Sequence, residues 1–232
     1  MHTTILAIET STELCSVALA SAHDVRVAEE HTGAQSSTRV LPMVQSLLAQ
    51  TNITLRDLSA IAFGAGPGSF TGIRTACALA QGLAFGADLP IISVDTLLAC
   101  AERAYRETGL SKILVTLDAR MGEVYWGEYF FDTDAWQVLT PPSVSPPIAV
   151  QAQQLDYCVV GNASTLFPEA QFNQLAKNRY ATITPRADYI ATLACHAFAK
   201  GQAQPAARAY PIYVRNKVAL TTQERQQPLN QP

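Results

Sequence analysis

The sequence predicts an α/β protein, and three observations carry that prediction. The chain opens with a buried apolar run, Thr4-Ile5-Leu6-Ala7-Ile8-Glu9-Thr10-Ser11-Thr12, that ends in hydroxyls. Between Ser37 and Gln50 the apolar spacing changes to that of a helix, and Phe63 to Arg74 places a glycine-crowded turn between an apolar strand and an amphipathic helix. A chain of 232 residues holds one large domain or two modest ones with ample apolar material for such a core.

Taken in order, the opening strand is followed by a second from Leu14 to Ala20. A third, from Val25 to Glu29, follows a polar link short enough for a hairpin. From Ser37 to Gln50, Val40, Leu41, Val44, Leu47 and Leu48 form one stripe, despite Pro42, and the helix is expected to cover a sheet face. Ser59 to Phe63 is a buried strand leading into the glycine turn. There Gly64, Gly66 and Gly68 permit φ > 0 and close approach, while Pro67 pushes Gly66 away from the α region. Thr71 is expected to cap a helix with Ile73, Ala76, Cys77, Ala80, Leu83 and Ala84 on its apolar face. A strand from Ile91 to Val94 and a helix from Asp95 or Thr96 complete the order β-β-β-α-β-α-β-α.

A second unit begins near Lys112, with strands from Ile113 to Leu117 and Val124 to Phe131. Asp118 to Glu123 joins them as a polar turn in which Asp118 reads as a turn or interface carboxylate. The proline-rich stretch from Thr140 to Pro147 is expected to be an exposed connection. Tyr157 to Val160 reads as a strand, Thr165 onward as a further helix, and Asp188 to Ala199 as a stronger one, with Ile190, Leu193, Ala194 and Ala197 on one side. The tail after Thr221 is rich in glutamine and proline and is expected to fray or to be ordered by a partner. The expected division is a first domain over residues 1–106, joined by 212–232, and a smaller second domain over 107–211.

Composition narrows the function classes. The chain is 48% hydrophobic and 15% charged, and no apolar run is long enough to span a bilayer. It starts on an apolar strand instead of a targeting pattern, so the expected location is the cytoplasm. Five cysteines form no CxxC pair and read as reduced core thiols. A net charge of -3 gives little electrostatic reason to bind nucleic acid alone, although Arg208, Arg215, Lys217 and Arg225 gather near the end. The four histidines have no HxxxH or HExxH spacing, and Ser69 lies outside any GxSxG, so neither a metal protease nor a serine hydrolase is indicated.

Two places invite chemistry. At the end of the first strand, Glu9 is a carboxylate suited to organising magnesium or water, and Thr10, Ser11 and Thr12 are suited to phosphate oxygens. The glycine turn, with Gly68 and Ser69 at a helix start, offers free N–H groups to an anion, yet it lacks GxxxxGK[ST]. The first place reads more readily as turn stabilisation or an inherited pocket with little catalysis, and the second as a structural or partner-facing turn.

The hydroxyl-ended first hairpin resembles the phosphate hairpin of an actin-like fold. With the Gly64-to-Arg74 segment, Leu117-Asp118-Ala119-Arg120-Met121-Gly122-Glu123-Val124-Tyr125 and Tyr210-Pro211-Ile212-Tyr213-Val214-Arg215, the chain resembles the bacterial TsaB family over nearly its whole length. The resemblance implies a two-domain actin-like (ASKHA, ribonuclease H-like) fold with a reduced second domain. It also implies a noncatalytic partner of TsaD in tRNA threonylcarbamoyladenosine formation. The catalytic relative carries an HxxxH metal motif, and the corresponding positions here hold Thr96 and Cys100, so the metal is expected in TsaD. Glu9, Thr10, Ser11, Gly68 and Ser69 become a vestigial phosphate site, with ATP or ADP at a complex interface. TsaD is expected to bind the first-domain helices through Val40, Val44, Leu47, Ile73, Ala76, Cys77, Ala80 and Ala84, a surface also open to a self-dimer. TsaE joins the assembled complex, and tRNA is met mainly through it. The alternative is an autonomous actin-like ATPase or small-molecule kinase.

Overall fold

The computed structural model describes residues 3–21, 24–153 and 156–215. Strands β1 (Ile5–Glu9), β2 (Leu14–Ala20) and β3 (Val25–His31) form an antiparallel meander, followed by α1 (Ser36–Thr51). The chain continues through β4 (Ala60–Gly66), α2 (Phe70–Gly86), β5 (Ile91–Asp95) and α3 (Thr96–Thr108). The expected order of these eight elements is the observed one. They build a five-stranded sheet in the order β3-β2-β1-β4-β5, with β1, β4 and β5 parallel.

Every residue of β1 is buried because helices cover both faces of the sheet. On one face Leu6, Ile8, Val17, Ile61 and Phe63 pack with Val40, Met43, Val44 and Leu47 of α1 and with Ala76, Cys77, Ala80 and Ala84 of α2. On the other, Ile5, Ala7, Ala18, Ala60 and Ala62 pack against Ala187, Ile190, Ala191 and Ala194 of α6 (Ala187–Ala199). Small residues on both sides let that helix approach closely.

This last contact corrects the expected division of the chain. α6 falls within 107–211 but covers the first sheet, because its alanine stripe matches the alanines of β1, β2 and β4. From there the chain stays with that sheet: Gln204 exchanges backbone bonds with Ile91, and the Ile212 N–H donates to the Ala65 carbonyl at 2.7 Å.

The second sheet holds β6 (Lys112–Asp118), β7 (Val124–Asp132), β8 (Ala135–Ser145), β9 (Cys158–Val160) and β10 (Asn178–Tyr180) in the order β10-β9-β6-β7-β8. The proline-rich stretch is corrected in part: Thr140 to Ser145 form the end of β8, and Pro146 and Pro147 follow it in a short turn. Pro141 and Pro142 are tolerated because β8 is an edge strand whose pairing with β7 shifts register between Trp126 and Tyr129. The helix expected from Thr165 is instead the short α4 (Ala163–Leu166), followed by α5 (Gln171–Gln174).

α3 lies between the sheets, with Ala99 in the core of the first and Leu97, Cys100, Ala101 and Ala104 in the core of the second. The five cysteines are free, and four of them are buried. Among the described residues no helix is long and apolar enough to cross a membrane. The expectations for the tail after Thr221, and for Lys217 and Arg225, lie outside the described residues.

Candidate functional site: the cleft between the sheets and the outer face of the second helix

β1, β4 and β5 run parallel, so their C-terminal ends meet at one edge of the first sheet, the usual position for a crevice in α/β folds. The ends of β6 and β9 face them, and between the two sheets lies a cleft of about 830 Å³. One wall comprises Thr10, Ser11 and residues 67–73; the other includes Asp118, Arg120, Met121, Asn162 and Leu166.

The glycine turn is shaped by the hairpin beneath it. The Thr10 hydroxyl donates to the Gly72 carbonyl at 2.7 Å, and the Ser69 N–H donates to the Ser11 carbonyl at 2.8 Å. A Cβ on Gly72 would lie 2.0 Å from the Thr10 carbonyl oxygen, and one on Gly68 would lie 2.5 Å from the Ser11 Cβ. The expected positive φ holds for Gly66 alone of the three, at +105°; Gly64 and Gly68 are needed for close approach. The helix cap is also corrected. α2 starts at Phe70, and the Ser69 hydroxyl accepts from the Gly72 N–H at 3.4 Å, so Thr71 lies inside the first turn, exposed.

Thr10, Ser11, Gly68 and Ser69 therefore come together in the cleft wall. Glu9 does not join them. It is fully buried, its carboxylate accepts from the Ser11 N–H, and it presses under Gly64, where a Cβ would lie 1.7 Å from Oε2. Burial pushes its pKa up, against hydrogen bonds from Ser11, Thr10 and Thr96 that lower it. The expectation that Glu9 organises magnesium or water is corrected, because the carboxylate braces the turn from below the cleft.

Asp118 is a turn carboxylate: it accepts from the Arg120 N–H at 2.8 Å and pairs with the Arg120 guanidinium at 3.1 Å. Arg120 also reaches across the cleft to Glu13 at 3.1 Å. Arg215 bonds Glu123 and the Ala119 carbonyl, so both arginines of the walls already hold carboxylates. Sequence reasoning missed the cluster at the mouth, in which the Arg74 guanidinium lies 3.2 Å from the centre of the Phe70 ring and donates to the Tyr213 hydroxyl at 2.8 Å. The available signal was an aromatic at the first position of α2 and two more in Tyr210 to Tyr213.

The eight residues assigned to a partner surface are corrected together. Val40, Val44, Leu47, Ile73, Ala76, Cys77, Ala80 and Ala84 are all buried, none more than 6% exposed. They face the sheet beneath α1 and α2. A large charge at Ala76 or Ala80 would therefore break the fold before it broke a complex. The outward face of α2 carries Arg74, Ala78, Gly82 and Phe85, the last 82% exposed. A Cβ on Gly82 or Gly86 would meet nothing within 4 Å, so no neighbour among the described residues requires glycine there.

The family model for TsaD, tRNA N6-adenosine threonylcarbamoyltransferase, matches residues 27–222. The tRNA threonylcarbamoyladenosine biosynthesis protein TsaB of Escherichia coli (strain K12) is 40% identical over 221 residues, covering 93% of this chain and 96% of the relative. The TsaB of Haemophilus influenzae is 35% identical over 229 residues, covering 93% and 94%. The structure of YeaZ from Pseudomonas aeruginosa superposes with a TM-score of 0.86 at 37% identity, over 91% of this chain and 99% of that one. The chain belongs to the bacterial TsaB (YeaZ) family. A second Pseudomonas aeruginosa structure, described as an uncharacterized protein with similarity to peptidase YEAZ, gives a TM-score of 0.87, also at 37% identity, over 92% of this chain and 100% of that one.

TsaB proteins are noncatalytic relatives of TsaD. Thr96 and Cys100 are fully buried at the start of α3; the Thr96 hydroxyl accepts from the Gly66 N–H at 2.9 Å, and Cys100 packs in the second core. Burial pushes the Cys100 thiol well up. Among the described residues no group of three or more His, Cys, Asp or Glu side chains is placed to hold a metal.

In this TsaB-family chain the two sheets are also tied at the back of the cleft. Asp95 caps α3 by accepting from the Leu97 N–H at 2.8 Å, and its other oxygen accepts from the Tyr129 hydroxyl of the second sheet at 2.8 Å. Burial raises its pKa from 3.8 to about 6, although both bonds pull it down. A carboxyl raised on folding contributes stability below its unfolded value and loses it as pH rises through about 6. The contribution is on the order of 2–3 kcal/mol, and Glu9 acts in the same direction. Urea unfolding at pH 5 and pH 7 is expected to show Asp95→Asn gaining stability relative to the parent at the higher pH; an unchanged difference would contradict this role for Asp95.

Proposed function

We propose that this chain is the noncatalytic subunit that binds and activates TsaD for transfer of the threonylcarbamoyl group. The donor is threonylcarbamoyl-AMP, and the acceptor is the N6 amine of the adenosine beside the anticodon in tRNAs reading ANN codons. The observation that carries this reading is the TsaB match along almost the whole chain, joined to a glycine on the outer face of α2, Gly82, that no described residue approaches. Glycine within a helix costs about 1 kcal/mol relative to alanine, and nothing among the described residues requires it at Gly82. A partner helix seated on Ala78, Gly82 and Phe85 would account for the small residues through close backbone approach and for the phenylalanine through burial.

In this reading the fold is actin-like with a reduced second domain, and the chain acts in the cytoplasm. TsaD, a homologue, docks on α2 and the exposed side of α1 around Leu41, which is 40% exposed. The same face serves a self-dimer when TsaD is absent. TsaE joins the assembled complex, tRNA is met through it, and ATP or ADP is held at the subunit interface, with Thr10, Ser11, Gly68 and Ser69 as the nearest remnant of a phosphate site. The autonomous ATPase or kinase reading has less support, since Glu9 lies outside the cleft and the wall arginines hold carboxylates.

Titration calorimetry of the purified chain with TsaD tests the proposal. A saturable one-to-one complex is expected, with no ATP turnover by the chain alone. Absence of binding together with robust turnover would bring the kinase reading forward.

A further inference from the structure

We propose that residues 212–215 form a latch across the mouth of the cleft, with Arg215 as its catch, and that releasing Arg215 lets the two sheets part. Within four residues the chain is tied to both sides. On the first sheet, the Ile212 N–H donates to Ala65 at 2.7 Å, and Tyr213 takes the Arg74 bond at 2.8 Å and lies beside Phe70. On the second, Arg215 bonds the Ala119 carbonyl at 3.0 Å and the Glu123 carboxylate, gripping both ends of the turn between β6 and β7. Its guanidinium also lies 5.7 Å from the Tyr125 ring centre.

A further bridge over the cleft, Arg120 to Glu13, joins side chains 73% and 74% exposed, and such pairs contribute little. Arg215, at 16%, is well withdrawn and makes charge-assisted bonds, so closure rests on it. At the back, α3 and the Asp95–Tyr129 bond keep the sheets joined and provide the axis about which they part.

Two features oppose closure and keep the open arrangement within reach. The Arg215 Nε is buried without a hydrogen-bond partner. The turn that Arg215 grips holds three consecutive residues in the left-handed region, Arg120 at φ 60°, Met121 at 56° and Gly122 at 74°, two of them with side chains that disfavour it. Opening would widen the cleft, whose rim already exposes Met121, Phe70 and Tyr213.

The test is a distance measured by electron–electron resonance between spin labels at Thr71→Cys and Thr165→Cys, exposed on opposite walls, in a Cys195→Ser background that removes the one half-buried thiol, the other four being buried. The parent is expected to give one narrow distribution. Arg215→Met is expected to shift it outward by about 5 Å or more and broaden it, the scale of a hinge motion. Tyr213→Phe, which removes only the Arg74 bond, is expected to give a smaller widening, and the exchanged pair Glu123→Arg with Arg215→Glu a return toward the parent. An unchanged distribution in Arg215→Met, or an exchanged pair as wide as the single variant, would overturn the latch.

Discussion

Gly72→Ala is expected to lose about 3 kcal/mol or more of folding stability, seen as a fall of roughly 6–12 °C in unfolding midpoint. The added methyl would lie 2.0 Å from the Thr10 carbonyl oxygen and 3.0 Å from its carbon. Those atoms are backbone, so no rotamer change relieves the contact. Thr10 is the residue after β1, a strand buried along its whole length, and its own hydroxyl is tied to Gly72. Relief therefore requires moving the first turn of α2 off the hairpin, which also loses the Ser69–Ser11 bond. Gly82→Ala in the same helix is the control: it meets nothing within 4 Å and should gain about 0.5–1 kcal/mol. Equal stabilities for the two variants, measured by urea unfolding, would show that the hairpin and the glycine turn do not nest as described.

The second large effect concerns the partner. Gly82→Arg is expected to weaken TsaD binding by about 100-fold or more while leaving the midpoint of the isolated chain nearly unchanged. A bulky cation at the centre of a close helix contact blocks approach and must be desolvated. Within one copy of the chain no described residue lies within 4 Å of its Cβ. Ala80→Arg, two residues away, should behave in the opposite way, since Ala80 is fully buried beneath the helix and the charge would destroy the core. Calorimetric titration of Gly82→Arg separates surface from core. Unchanged affinity would remove α2 from the interface.

These variants also mark where the sequence was legible. β1 and β4 are covered on both faces and appear as unbroken apolar runs, and α1 covers one face and shows a single stripe, so order and type could be read locally. Thr10, Ser11, Gly68 and Ser69 read as two places on the residues alone and were joined through the family resemblance; the parallel strand ends bring them to one edge. The direction of the helix stripes was not legible. An apolar stripe packs equally well on a sheet or on a partner, and here the sheet took Ala76, Ala80 and Ala84. The signal for the outer face lay in residues that break the pattern, Gly82, Phe85 and Gly86.

Other differences have equally local causes. Pro141 and Pro142 suggest a loop, yet an edge strand beside a register shift accepts them. α6 follows the second sheet in sequence but returns to the first because its alanines fit there, a long-range match that no local period reveals. Glu9 looked like a site carboxylate at a strand end. Only the missing side chain of Gly64 shows that the carboxylate has a place inside the core.

The central claim is that the chain is a subunit needed by TsaD and carries no transfer chemistry of its own. Its most direct test is threonylcarbamoyl transfer to an unmodified cognate tRNA by purified TsaD and TsaE with ATP and threonylcarbamoyl-AMP, with and without this chain. Transfer that requires the chain, none by the chain alone, and loss of that rescue in Gly82→Arg is the predicted result. Equal transfer without the chain, with every other component active, would contradict it.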